Sequence, residues 1–144
     1  MIGAIDPGAN GALVILHSSD VFTFVDYKAK GIKGYIEALK DYPLQLLGIE
    51  LVHSMPNQGV ASTFSFGQRF GELIGIAEAL GIPYELVQPR QWQKHLGLNK
   101  ATKQEIAQAI LQIYPNAELL GKRKGLLDGR SDALGILHYL KEKL

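Results

Sequence analysis

The chain has 144 residues, 47% of them hydrophobic and 20% charged, which suits one globular domain spanning 1–144 and excludes a disordered chain. It has no cysteine, which excludes a disulfide framework and a thiolate metal site and fits a reducing compartment. The net charge of +1 hides a division: residues 1–89 carry five Lys/Arg against nine Asp/Glu, a net of −4, residues 90–130 carry eight against three, a net of +5, and residues 131–144 balance.

In chain order, residues 2–6 and 11–17 read as two short apolar strands joined by the turn Pro7-Gly8-Ala9-Asn10-Gly11. Val21 to Val25 alternates strand formers and gives a third. Ile32, Tyr35, Ile36 and Leu39 recur at helical spacing, and Tyr42-Pro43 ends that helix. Leu46 to Val52 is a buried strand with one acid, Glu50, inside it, and His53 to Ala61 is a polar loop. Ser62 is expected to cap a long helix reaching about Leu80, with Gly81 as its stop. Tyr84 to Val87 is a strand, and Pro89 opens a short helix to about Leu96. Thr102 caps a helix through Ile113, Lys122 to Gly125 form a basic loop, and Asp128 to Leu140 form the last helix. The order β-β-β-α-β-α-β-α-α-α implies an α/β fold, a mixed five-stranded sheet with helices on both faces. No signal peptide is expected, and the apolar runs are too short to span a bilayer, so no membrane partner is expected.

Four carboxylates stand out. A charge at the end of a buried strand is costly unless something pairs with it, which singles out Asp6 and Glu50. If their strands are parallel neighbours, both acids lie at one end of the sheet, where sites form in open α/β sheets. Asp128 and Asp132 are four residues apart and share one helical face. Oxygen donors without cysteine suit Mg²⁺ or Mn²⁺, and two ions would serve the attacking water and leaving oxygen of a phosphodiester. Taken singly, the acids have plainer readings: Asp6 as a cap of its turn, Glu50 as structural, Asp128 as a helix N-cap and Asp132 as a first-turn acid.

The chain resembles the RuvC family of Holliday-junction resolvases, on the RNase H-like fold, closest to its phage and chloroplast branch. "GAIDPGANGALVIL", "IELVHSMPNQGVASTFSFGQRFGELIG", "VQPRQWQKHLGL" and "DGRSDALGIL" carry the resemblance, in the family's order and over nearly the whole chain. It implies a homodimeric, Mg²⁺-dependent endonuclease that makes paired symmetric nicks in four-way DNA junctions. The implied catalytic and metal-binding acids are Asp6, Glu50 and Asp132, with Asp128 as helical partner. The bacterial enzymes space that last pair by three positions, whereas here the spacing is four. The expected location is the cytoplasm, the host's if the chain is phage-encoded.

The loop after Glu50 would then reach the junction centre, making His53, Met55, Asn57 and Gln58 candidates for DNA contact. Phe64 and Phe66 would stack on bases, or pack beneath the loop or at the dimer interface. Arg69 lies on a helix punctuated by Gly67, Gly71 and Gly75, small residues that admit either a second subunit or the helix's own sheet. Arg90, Lys94, Lys100, Lys103, Lys122, Arg123 and Lys124 suit phosphate contacts or a solvated face. Trp92 reads as core, His95 as a general base or a surface residue, and His138 as structural. Two other functions compete. Actin-like phosphotransfer shares the Asp-x-Gly opening, but it needs two such domains. A branched-DNA-binding module without catalysis would not need all four acids.

Overall fold

In a computed structural model of the protein, residues 1–51 and 56–144 are described. The elements are β1 (Ile2–Asp6), β2 (Ala12–Ser18), β3 (Val21–Asp26), α1 (Tyr27–Asp41), β4 (Leu46–Glu50), α2 (Val60–Leu80), β5 (Tyr84–Val87), α3 (Pro89–His95), α4 (Lys103–Ile113) and α5 (Asp128–Lys143). The strands form one sheet in the order β3-β2-β1-β4-β5. The hairpin-linked strands pair antiparallel, whereas β1 pairs parallel with β4 and β4 with β5.

Alternation along the central strands divides their side chains between two cores. Ile2 and Ala4 of β1 and Val14 and Leu16 of β2 pack with Trp92, Ile110 and the apolar face of α5. Ile5, Leu13, Ile15, Leu47 and Ile49 face the other way, onto Tyr35 and Leu39 of α1 and Leu73 and Ala77 of α2. Being covered on both faces, β1 and β2 are near-continuous apolar runs. This is the expected mixed five-stranded sheet with helices on both faces.

Most expected helix boundaries hold. Gly81 ends α2 in the left-handed conformation (φ 67°). Thr102 caps α4, accepting from the Glu105 backbone N–H while the Glu105 side chain accepts from the Thr102 N–H. Three expectations are corrected. Helix α1 starts at Tyr27 and is broken at Gly31, where φ is 63° and ψ −166°. Ser62 is not the cap of α2: the helix begins at Val60 after an extended Gly59, and Ser62 Oγ accepts from Gln58 Nε2 at 3.1 Å. Helix α5 runs on to Lys143. Among the described residues no helix is long and apolar enough to cross a membrane.

Candidate active site

Strands β1 and β4 run parallel as neighbours, with Ala4 opposite Gly48 and Ile5 opposite Ile49. Asp6 and Glu50 are the next residues on each, so both acids stand at the same end of the sheet. Parity fixes their side. Asp6 follows Ile2 and Ala4, which pack toward α5. Glu50 follows Gly48, where a Cβ would run into Leu140 and Ile136 of α5. Both carboxylates therefore emerge beneath α5.

The start of α5 is brought to them by a close backbone approach. A Cβ at Gly129 would collide with the Asn10 carbonyl oxygen and the Gly11 backbone, so only glycine lets the first turn of α5 lie on the β1–β2 turn. That contact sets Asp128 and Asp132 over the strand ends. Asp128 is the first helical residue, and Leu127 occupies the cap position, which removes the reading of Asp128 as an N-cap.

The electrostatics show the acids gathered. Burial, then the charges of Asp132, Glu50 and Asp128, hold the Asp6 carboxyl well above the ordinary carboxylate range, with Lys103 opposing. Burial, then Glu50 and Asp128, push Asp132 up to about 7, again against Lys103. Glu50 is raised by burial and partly restored by a hydrogen bond from Trp92. That bond runs from the Trp92 indole Nε1–H to Glu50 Oε2 at 2.8 Å. Lys103 Nζ lies 3.1 Å from Asp128 Oδ2, and this pairing raises the ammonium's pKa.

Among the described residues no group of three or more His, Asp or Glu side chains is arranged to hold a metal ion. Two of the four acids are committed to protein partners, Glu50 to Trp92 and Asp128 to Lys103. The donor chemistry nevertheless fits a hard divalent cation. The ligands would be carboxylate oxygens, partly buried, with more negative charge than one lysine relieves.

The remaining expected residues differ in their placement. His53 and Met55 lie outside the described residues. Arg90, Lys94, Lys100, Lys122, Arg123 and Lys124 are exposed, and so is Asn57, while Gln58 is half-buried. Lys103 was expected on phosphate but is paired with an acid of the cluster. Phe64 is 72% exposed and belongs to no core. Phe66 is half-buried beside Gly8 of the β1–β2 turn. Arg69 turns inward: its Nε is buried, and the side chain lines a small cavity with Tyr35, Pro7, Gly8, Tyr27 and Leu73. Gly67, Gly71 and Gly75 are exposed, and among the described residues a Cβ on any of them would meet no atom of another element within 4 Å, so that stripe does not pack on its own sheet.

The two histidines are tied elsewhere. His95 and His138 both bond Glu142 Oε1 at 2.9 Å, and His138 also bonds the Tyr114 hydroxyl at 2.8 Å. Arg130 is taken up by the fold, with Nε and Nη2 donating to the Asp26 carboxylate at 2.9 and 2.8 Å. The sequence reading missed the polar role of Trp92. The signal available was an indole N–H, which seeks an acceptor when buried.

Comparison with known proteins supplies structural neighbours alone: no protein-family model matches the sequence, and no curated protein does. The fold matches a structure of Thermus thermophilus RuvC at a TM-score of 0.65 and 18% identity, covering 99% of this chain and 96% of that one. It also matches T. thermophilus RuvC in complex with Holliday junction substrate at a TM-score of 0.67 and 16% identity, covering 99% and 95%. At such low identity the likeness speaks to architecture: this chain has the RuvC fold.

Proposed function

We propose that the chain is a divalent-metal-dependent endodeoxyribonuclease that resolves four-way DNA junctions by paired symmetric nicks, acting as a homodimer. The observation that carries this is the gathering of Asp6, Glu50, Asp128 and Asp132 at one end of the sheet. There, burial and mutual repulsion disfavour the ionised forms of Asp6 and Asp132, which a bound cation would favour. The bound Holliday junction substrate of a structural neighbour supports branched DNA as the polyanion.

The chemistry that Mg²⁺ or Mn²⁺ supplies when bound at such acids is activation of water and stabilisation of the leaving oxygen, one ion for each. Asp6, Glu50 and Asp132 would be the holding residues, with Asp128 as the fourth. Asp6 and Glu50 come from adjacent strands of a rigid sheet, so their spacing is set by backbone pairing rather than by a loop. Lys103 holds Asp128 in the free protein and offsets part of the cluster's charge. Exposed Arg90, Lys94, Lys100, Lys122, Arg123 and Lys124 would bind phosphates and fix the DNA's register without reading its sequence. Exposed Phe64 is available to stack on an unpaired base. A four-way junction offers two-fold symmetry, and the open Gly67/Gly71/Gly75 stripe offers a face where a second copy can approach closely.

The test is cleavage of a labelled mobile four-way junction with and without Mg²⁺, mapped at nucleotide resolution. The expected result is Mg²⁺-dependent nicks at symmetric positions on opposing strands. Binding of the junction with no nick under either condition would leave a DNA-binding module and overturn the nuclease.

A further inference from the structure

Trp92 sits where the two halves of the acid cluster meet. It is completely buried, and its indole N–H donates to Glu50 Oε2 at 2.8 Å. Only one of the two Glu50 oxygens is engaged by this bond. On its other side the ring lies against Gly135 of α5, where a Cβ would come within 2.5 Å of ring atoms Cε3 and Cζ3. Gly135 is three residues beyond Asp132 on the same helix, one turn along the same side. A single side chain therefore hydrogen-bonds the acid on β4 and packs on the helix that carries Asp128 and Asp132. A rotation of Glu50 would break its bond to Trp92, and a displacement of the indole would press on α5.

We propose that Trp92 is a positioning residue for the acid cluster: it fixes the Glu50 carboxylate through one oxygen and, through its ring on Gly135, sets the distance from Glu50 to Asp132. This rests on the nuclease reading above and adds to it the residue that gives the cluster its ordered geometry. Partners that orient a metal-binding carboxylate commonly matter for affinity nearly as much as the ligand does.

The test compares the full chain with Trp92→Phe, which keeps an aromatic ring on Gly135 and removes the N–H. Free Mn²⁺ is followed by electron paramagnetic resonance, junction affinity by gel shift without metal, and folding by circular dichroism. The expected result is Mn²⁺ binding weaker by roughly 10- to 100-fold, with metal-free junction affinity unchanged. Trp92→Phe that binds Mn²⁺ as tightly as the wild type overturns the positioning role and leaves the nuclease reading standing. A wild type that takes up no Mn²⁺ overturns both. A second measurement needs no variant. Trp92 is the chain's one tryptophan, so its indole ¹⁵N–¹H resonance is unambiguous. That resonance should move on Mg²⁺ addition and saturate with binding. A ring that only fills the core would give a resonance indifferent to Mg²⁺, and that result overturns the proposal.

Discussion

Asp132 is an acid whose ionisation the fold opposes. Its pKa is pushed up to about 7 by burial and then by Glu50 and Asp128, and Asp6 is raised by burial and then by Asp132, Glu50 and Asp128. An acid with a raised folded pKa keeps its proton in the folded chain at pH values where the unfolded chain has released it. The stability contributed by Asp132 therefore falls as pH rises from about 4 to about 7, by an amount on the order of a few kcal/mol, and Asp6 acts in the same direction. The metal-free protein should melt higher at pH 5 than at pH 8, and Asp132→Asn should flatten part of that difference in a series of thermal melts, Asp6 carrying the rest. Mg²⁺ added at pH 8 should restore part of the lost stability, since a ligand that binds only the folded state stabilises it. A melting temperature that rises from pH 5 to pH 8 would contradict this account of the cluster.

At the scale of elements, α5 decides where the site is. Its first turn rests on the β1–β2 turn through Gly129. Gly129→Ala should cost about 1–3 kcal/mol from overpacking, read from denaturant unfolding, and should reduce cutting more than junction binding. The basic stretch makes a second prediction. Lys100 is exposed, and its change to Ala should flatten the salt dependence of junction binding by roughly one unit of log–log slope. Lys103 is held by Asp128 in the free chain, so Lys103→Ala should leave the slope nearer to wild type. The elements themselves were legible because their signals are local: apolar periodicity, Pro89 at a helix start, Thr102 with Glu105, Gly81 at a stop. The Ser62 cap was misread because residue type alone cannot say which of several polar residues stands at the first turn, and here Gln58 engages the hydroxyl. The inward turn of Arg69 and the Lys103–Asp128 pair depend on packing across elements, which no local pattern encodes.

For the whole molecule, the acids were individually legible as charges in apolar surroundings, but their meeting was conditional on β1 and β4 being parallel neighbours, as they are. The Trp92–Glu50 bond joins residues 42 positions apart and had no sequence pattern of its own. The proposed dimer rests on the open glycine stripe on α2. Light scattering should show twice the 15.8 kDa chain mass, and Gly71→Leu should shift the protein toward monomer with loss of paired nicking. A 15.8 kDa species alone, fully active, would contradict the dimer. The most direct test of the central claim pairs two measurements on Glu50→Gln, which keeps the side chain's shape and removes its charge. Junction affinity is measured without Mg²⁺, and nick yield with it. The acid cluster as a metal-dependent cutting site predicts affinity equal to or tighter than wild type, because a charge that repels phosphate is gone, and nick yield lower by orders of magnitude. A Glu50→Gln protein that cuts at near wild-type rate would contradict it.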